Sequence, residues 1–144
     1  MRKCIALSVI RLRHIDTMIQ EVNAETILDF VAELPGVSSG FPFDEKTLVL
    51  KVGTEEKNKI FALFNIDYFE GVNLKCDPER SINLRSEFDG VQPGWHMNKV
   101  HWNTVTPGPE MDVSPKLFWD LLQHSYDLVH KSLPRKIKDA IQGS

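Results

Sequence analysis

Residues 94 to 105 read GWHMNKVHWNTV and bring two imidazoles, two indoles, two carboxamides and an ammonium into one short segment. Imidazoles can take up a proton near neutral pH, indoles can stack on flat ligands, and a lysine with histidine donors can hold an anion. One functional reading makes Lys75, Arg85 and Lys99 the charge of a ligand- or phosphate-binding surface, with His96, His101 and Asn103 as its polar partners. The other makes both histidines structural, bonded to turn carbonyls or to neighbouring helices. A metal centre needs a third ligand, and the segment contains no Cys, Asp or Glu to provide it.

The geometry expected for this stretch is a hairpin with Asn98-Lys99 as its two-residue turn. His96 then faces His101 and Trp95 faces Trp102, and strand alternation puts the two pairs on opposite faces of the sheet. A second register begins a strand at Lys99, with Lys99, His101 and Asn103 on one face and Val100, Trp102 and Thr104 on the other. In both registers Trp102 is the core residue.

Other reactive side chains are more isolated. Cys76 ends a strand-like run just before a helix start at Asp77-Pro78, where it reads as a small buried residue. Glu21, Glu25, Asp29 and Glu33 recur every four residues as an acidic stripe, a solvated helix face whose alternative role is a hard-cation site at Glu25, Asp29 and Glu33. Trp95, Trp119 and Tyr126 could stack nucleobases but also suit core or rim packing, Trp119 with part of its ring exposed. The sequence contains no GxSxG, Walker A, HExxH, GxGxxG or paired-carboxylate motif. No catalytic residue and no cofactor is therefore assigned.

The positioning elements follow from periodicity and punctuation. Asn23 can cap a helix through AETILDFVAEL, with Ile27, Leu28, Val31 and Leu34 at core spacing and Pro35-Gly36 at its end. Strand-like runs follow at 47 to 52, 59 to 66 and 71 to 76, with short polar connections that favour an antiparallel meander. PERSINLRSEF forms a second helix, and the 94 to 105 stretch adds one or two strands. Ser114 and Pro115 open a long helix with Phe118, Leu121, Leu122, Ser125 and Val129 along its core face, ended by Pro134. The fold class is α+β, a two-layer sandwich with helices packed on one face of an antiparallel sheet. One domain is expected over 23–134, preceded by a dispensable extension at 1–22 and followed by a short basic tail at 135–144.

Charge separates the chain into regions. Both ends are basic, whereas residues 18 to 130 carry nine Lys and Arg against 18 Asp and Glu, about −9. Such a body repels a phosphate backbone unless its cations gather on one face. The two cysteines, Cys4 and Cys76, are too far apart in sequence to suggest a disulfide framework or zinc site, which favours a reducing compartment. The start MRKCIALSVIRLRH is too short and too interrupted for a signal peptide, and no run is long enough to span a bilayer. A cytoplasmic monomer without membrane contact is expected.

LKCDPERSINLR, GVQPGWHMNKVHWNTV and HSYDLV, with Leu133-Pro134 after them, resemble the MmcQ/YjbR family in order and spacing. ETILDFVAELPG and FPFDEKTLVLKVG extend the resemblance upstream, over about residues 23 to 134. The resemblance implies a frataxin/CyaY-like α+β fold and a family commonly labelled DNA-binding. DNA thus becomes the expected partner of a non-enzymatic binding domain. The alternatives are a small-ligand or protein-interaction module using the polar face of 94–105, and divalent-cation binding by the acidic first helix.

Overall fold

The computed structural model describes residues 21–108 and 110–142. The expected N-terminal extension, with Cys4, lies almost wholly outside them. Asn23 starts the first helix through a reciprocal cap: its Oδ1 accepts from the Thr26 N–H at 2.9 Å, and the Thr26 hydroxyl accepts from the Asn23 N–H at 2.9 Å. Helix α1, Ala24–Ala32, then buries Ile27 and Val31 and leaves Leu28 partly exposed.

Four strands follow as a meander: β1 Val37–Gly40, β2 Thr47–Gly53, β3 Asn58–Asn65 and β4 Val72–Lys75. The first, VSSG, has too few apolar residues to announce itself as a strand; it forms because β2 offers it an unpaired edge. Asp77 accepts the Arg80 N–H and opens α2, Pro78–Glu87. Strand β5, Val91–Pro93, then becomes an edge, and β6, Trp102–Val105, returns between β5 and β4. The sheet order is β1-β2-β3-β4-β6-β5, with every neighbouring pair antiparallel.

Register decides which face is core. Leu48 pairs with Phe64 and Leu50 with Ala62, Ala62 pairs with Leu74, and Val72 and Val91 both pair with Val105. All are buried against the helices. The β2–β3 register skips Phe61, and this bulge still leaves its ring buried, edge-on to Tyr126 at 5.5 Å.

Ser114 caps α3, Pro115–Ser132, whose expected core face of Phe118, Leu121, Leu122, Ser125 and Val129 is buried throughout. Trp119 departs from its expected partial exposure: Phe30 of α1 stacks on it at 5.1 Å, and the indole is buried. The helices form one layer on one face of the sheet, the α+β arrangement expected.

Residues 135 to 144, expected as a tail, behave differently. Arg135–Gln142 form helix α4, which packs near β2 with Ile137 and Ile141 in the core. Two isoleucines four apart meet on one helix face, while Arg135 and Lys136 stay in solvent. Ile137→Ala should accordingly lower unfolding free energy by about 2–5 kcal/mol, as for a core Ile truncation. Urea unfolding followed by circular dichroism would show this; a change near zero would restore the tail description.

Candidate functional site

The expected two-residue turn at Asn98-Lys99 does not form. Pro93 pairs with Asn103, the Gly94 N–H donates to the Trp102 carbonyl at 2.8 Å, and residues 94 to 101 leave the sheet as one loop. Within the loop, Met97 N–H donates to Gly94 O and Trp102 N–H to Asn98 O, while the Asn98 side chain accepts from Val100 N–H. Asn98 therefore closes an internal turn instead of centring a hairpin. Positive φ falls on His96, at 60°. Gly94 is required by packing, since a Cβ there would stand 2.7 Å from the Cβ of Trp102.

The faces of β6 also differ from expectation. Asn103, not Trp102, points at the helices and is 2% exposed. Helix α2 makes this possible: Arg85 Nε donates to Asn103 Oδ1 at 2.7 Å, and Asn103 Nδ2 donates to Ser81 Oγ at 3.2 Å. The same guanidinium donates to the carbonyls of Lys99 and Trp102. A buried carboxamide is tolerated because all this hydrogen-bonding capacity surrounds it. Trp102 lies half-buried on the face turned away from the described helices, beside Lys75, its cross-strand partner. On that face the Thr104 hydroxyl donates to Asn73 Oδ1 at 2.6 Å and accepts the Trp95 N–H.

The six sequence-selected residues therefore separate. Arg85 and Asn103 are joined in a clamp that also grips the Lys99 main chain. Lys99 Nζ donates back to Gly94 O at 3.1 Å, with its side chain exposed. Lys75 is fixed through its N–H, which donates to Ser125 Oγ. His96 and His101 are exposed; the His101 carbonyl accepts the Cys76 N–H, and the His96 ring stacks on Trp95 at 4.8 Å. Trp95 is 68% exposed, whereas Trp119 and Tyr126 are buried. Among the described residues no three His, Cys, Asp or Glu side chains converge on a point that could hold a metal ion. Glu25, Asp29 and Glu33 stand along one solvent-exposed face of α1 and its C-terminal cap.

In sequence HSYDLV marks the family and Ser125 the core face of its helix, but the backbone groups that these side chains hold are not legible there. His124, Ser125 and Tyr126 are consecutive on α3, yet each pins a different segment. His124 Nε2 accepts the Asp77 N–H, Ser125 Oγ accepts from Lys75 N and donates to the Phe61 carbonyl, and the Tyr126 hydroxyl donates to the Pro35 carbonyl. Arg80 pairs with Asp120 at 2.6 Å beside them. Burial pushes the Cys76 thiol up, against the Ser81 hydrogen bond and the Arg80 charge, which keeps it protonated and poorly nucleophilic. Burial, followed by the Arg80 charge, pushes the His124 imidazole down, so its neutral form accepts the Asp77 N–H at neutral pH.

The YjbR family model matches residues 32–128, which include both the clamp and the three pins on α3. The chain belongs to the YjbR family. Among its relatives, Escherichia coli O157:H7 YbdF is 36% identical over 113 residues, covering 78% of this chain and 88% of YbdF. YjbR of Escherichia coli K12 is 31% identical over 80 residues, covering 55% of this chain and 64% of that protein. The crystal structure of Deinococcus radiodurans DR2400, a DUF419 domain, superposes with a TM-score of 0.79 at 35% identity, covering 88% of this chain and 91% of that one. A Pseudomonas syringae protein gives a TM-score of 0.60 at 24% identity, over 75% of this chain and 99% of its own, and shows a shared fold.

Two expectations test the YjbR clamp and its support. Arg85→Ala leaves Asn103 Oδ1 and the Lys99 carbonyl without the Arg85 donor, while the Trp102 carbonyl keeps the Gly94 N–H, and should cost about 1–3 kcal/mol of stability. Amide exchange should quicken mainly across 94–102; unchanged exchange there would show that Arg85 is not the brace. For His124, the folded-state pKa lies below the ordinary value of 6.5, so the unfolded chain takes up the proton first. Its stabilisation is complete above that value and is lost as pH falls below it. His124→Gln should flatten the decline in urea midpoint between neutral and mildly acidic pH; an unaltered decline would remove His124 as its source.

Proposed function

We propose that this YjbR-family chain is a non-enzymatic binding domain whose contact element is the braced loop 94 to 101. The observation that carries this reading is Trp95: its indole is 68% exposed and stacked on His96, while the loop beneath is fixed by main-chain and Arg85 hydrogen bonds. A large aromatic surface held in a pre-ordered loop loses little conformational entropy on binding. Lys75 and Lys99 lie on the adjoining strand end and loop, with His96 and His101 exposed nearby.

DNA is the ligand class best suited to this combination, and single strands suit it better than duplex. Exposed bases can continue the Trp95–His96 stack, while the acidic body offers little attraction to an extended duplex backbone. Arg85 is committed to holding the loop, which leaves for phosphates Lys75 and the exposed Lys99 ammonium, one of whose three N–H groups is used on the Gly94 carbonyl, with Asn103 for support. The helix layer on an open antiparallel sheet supports the CyaY-like relationship, and the free buried Cys76 suits the cytoplasm.

Fluorescence anisotropy with labelled oligothymidine and with duplex DNA at low salt tests the ligand class. Binding should favour the single strand, fall by about tenfold in Trp95→Ala through loss of stacking, and lose about 1.4 units of salt slope with Lys75→Ala plus Lys99→Ala. No binding of either DNA at low salt would overturn the nucleic-acid reading.

A further inference from the structure

At the sheet end opposite the 94–101 loop, the β1–β2 and β3–β4 connections leave side by side, because Thr47 pairs with Asn65 and the Ile66 N–H donates to the Lys46 carbonyl. Both loops are ordered by their own side chains. Asp44 accepts from the N–H groups of Lys46 and Thr47 and from the Thr47 hydroxyl, while Asn65 Oδ1 accepts from those of Asp67 and Tyr68. These ordered loops nevertheless expose Phe41, Phe43, Ile66 and Tyr68, with Phe43 at 67% and Tyr68 at 68%. Isolated exposed apolar residues are ordinary, but four on two adjoining connections form a contact surface.

The charges around them identify the occupant. FPFDEK and IDYFEG carry Asp44, Glu45, Asp67 and Glu70 against the single cation Lys46, and all five are exposed. Hydrogen bonds from Thr47 and Lys46 N–H groups hold the Asp44 carboxyl below the usual carboxylate range, so it stays charged at neutral pH. An anionic rim repels DNA and anionic lipid, whereas Arg or Lys could pair with the carboxylates and rest on the Phe43 or Tyr68 rings. We propose that this end of the sheet is a docking surface for a basic polypeptide segment that carries Arg or Lys beside a large apolar side chain. It is separate from the 94–101 surface, and its failure would leave that one untouched.

The probe is a short synthetic peptide combining Arg and Leu, titrated into the isotope-labelled full chain by NMR, with a Glu–Leu peptide and an Arg–Ser peptide as controls. Shifts should concentrate in 41–46 and 66–71, vanish in Phe43→Ser plus Tyr68→Ser, and weaken about tenfold in Asp67→Asn plus Glu70→Gln. These positions are exposed, and the amide spectrum of each variant reports whether the fold is retained. Binding of the Glu–Leu or Arg–Ser peptide as tightly as the Arg–Leu one, shifts located elsewhere, or no shift at the highest soluble concentration would overturn the proposal. So would dimerisation in light scattering or sedimentation with phosphatidylcholine vesicles, if either disappeared in the Phe43→Ser plus Tyr68→Ser variant. Those outcomes would give the patch to a second copy or to lipid.

Discussion

Placing β6 between β4 and β5 obliges residues 94 to 101 to turn outside the sheet, where their carbonyls lose the ladder that satisfies strand residues. The Arg85 guanidinium and the Lys99 ammonium are the side-chain answers to that constraint: Lys99 Nζ serves the Gly94 carbonyl, and Arg85, from one position on α2, reaches the Lys99 carbonyl together with the Asn103 carboxamide and the Trp102 carbonyl at the start of β6. A planar, permanently charged donor with several N–H groups can serve three acceptors at once, which lysine's compact ammonium cannot match in this geometry. The buried Asn103 in turn ties Ser81 to the arrangement. Helix, strand and loop are thus coupled through one polar cluster within an otherwise apolar interface.

The end of β4 is held from the opposite side. Helix α3 presents His124 to Asp77 N and Ser125 to Lys75 N, while Cys76 N, between them, donates to the His101 carbonyl. Three successive backbone donors therefore alternate between α3 and the loop. This explains how one short connection can fix both the start of α2 and the base of 94–101, and why neutral His124 suits its place. Cys76 contributes its main chain here, while its thiol remains protonated in the interior.

Such bracing leaves two ends of one sheet with different surface chemistry. At one end, exposed Trp95 and His96 accompany Lys99 and His101; at the other, exposed Phe43 and Tyr68 accompany carboxylates. An overall charge of −3 averages over this contrast. The local distributions decide which partners can approach each end, because screening confines exposed charges to effects over about 10 Å.

Much of the architecture was legible in sequence. The Asn23 and Ser114 caps, the apolar spacing of α3 and the runs that became β2, β3 and β4 express local preferences that tertiary packing reinforces. The short β1 was not legible, because VSSG becomes a strand only beside β2, and α4 was obscured by basic residues around two buried isoleucines. The family phrases identified the right segments but not their physical roles. Sequence alone determined that histidine, tryptophan, lysine and asparagine would share one segment, whereas tertiary structure decided that on β6 Asn103 turns toward the helices and Trp102 away from them. The reason is that strand alternation sets opposite faces without naming the buried one, and α2 settles that choice by delivering Arg85 and Ser81 to Asn103 on the helix-covered face.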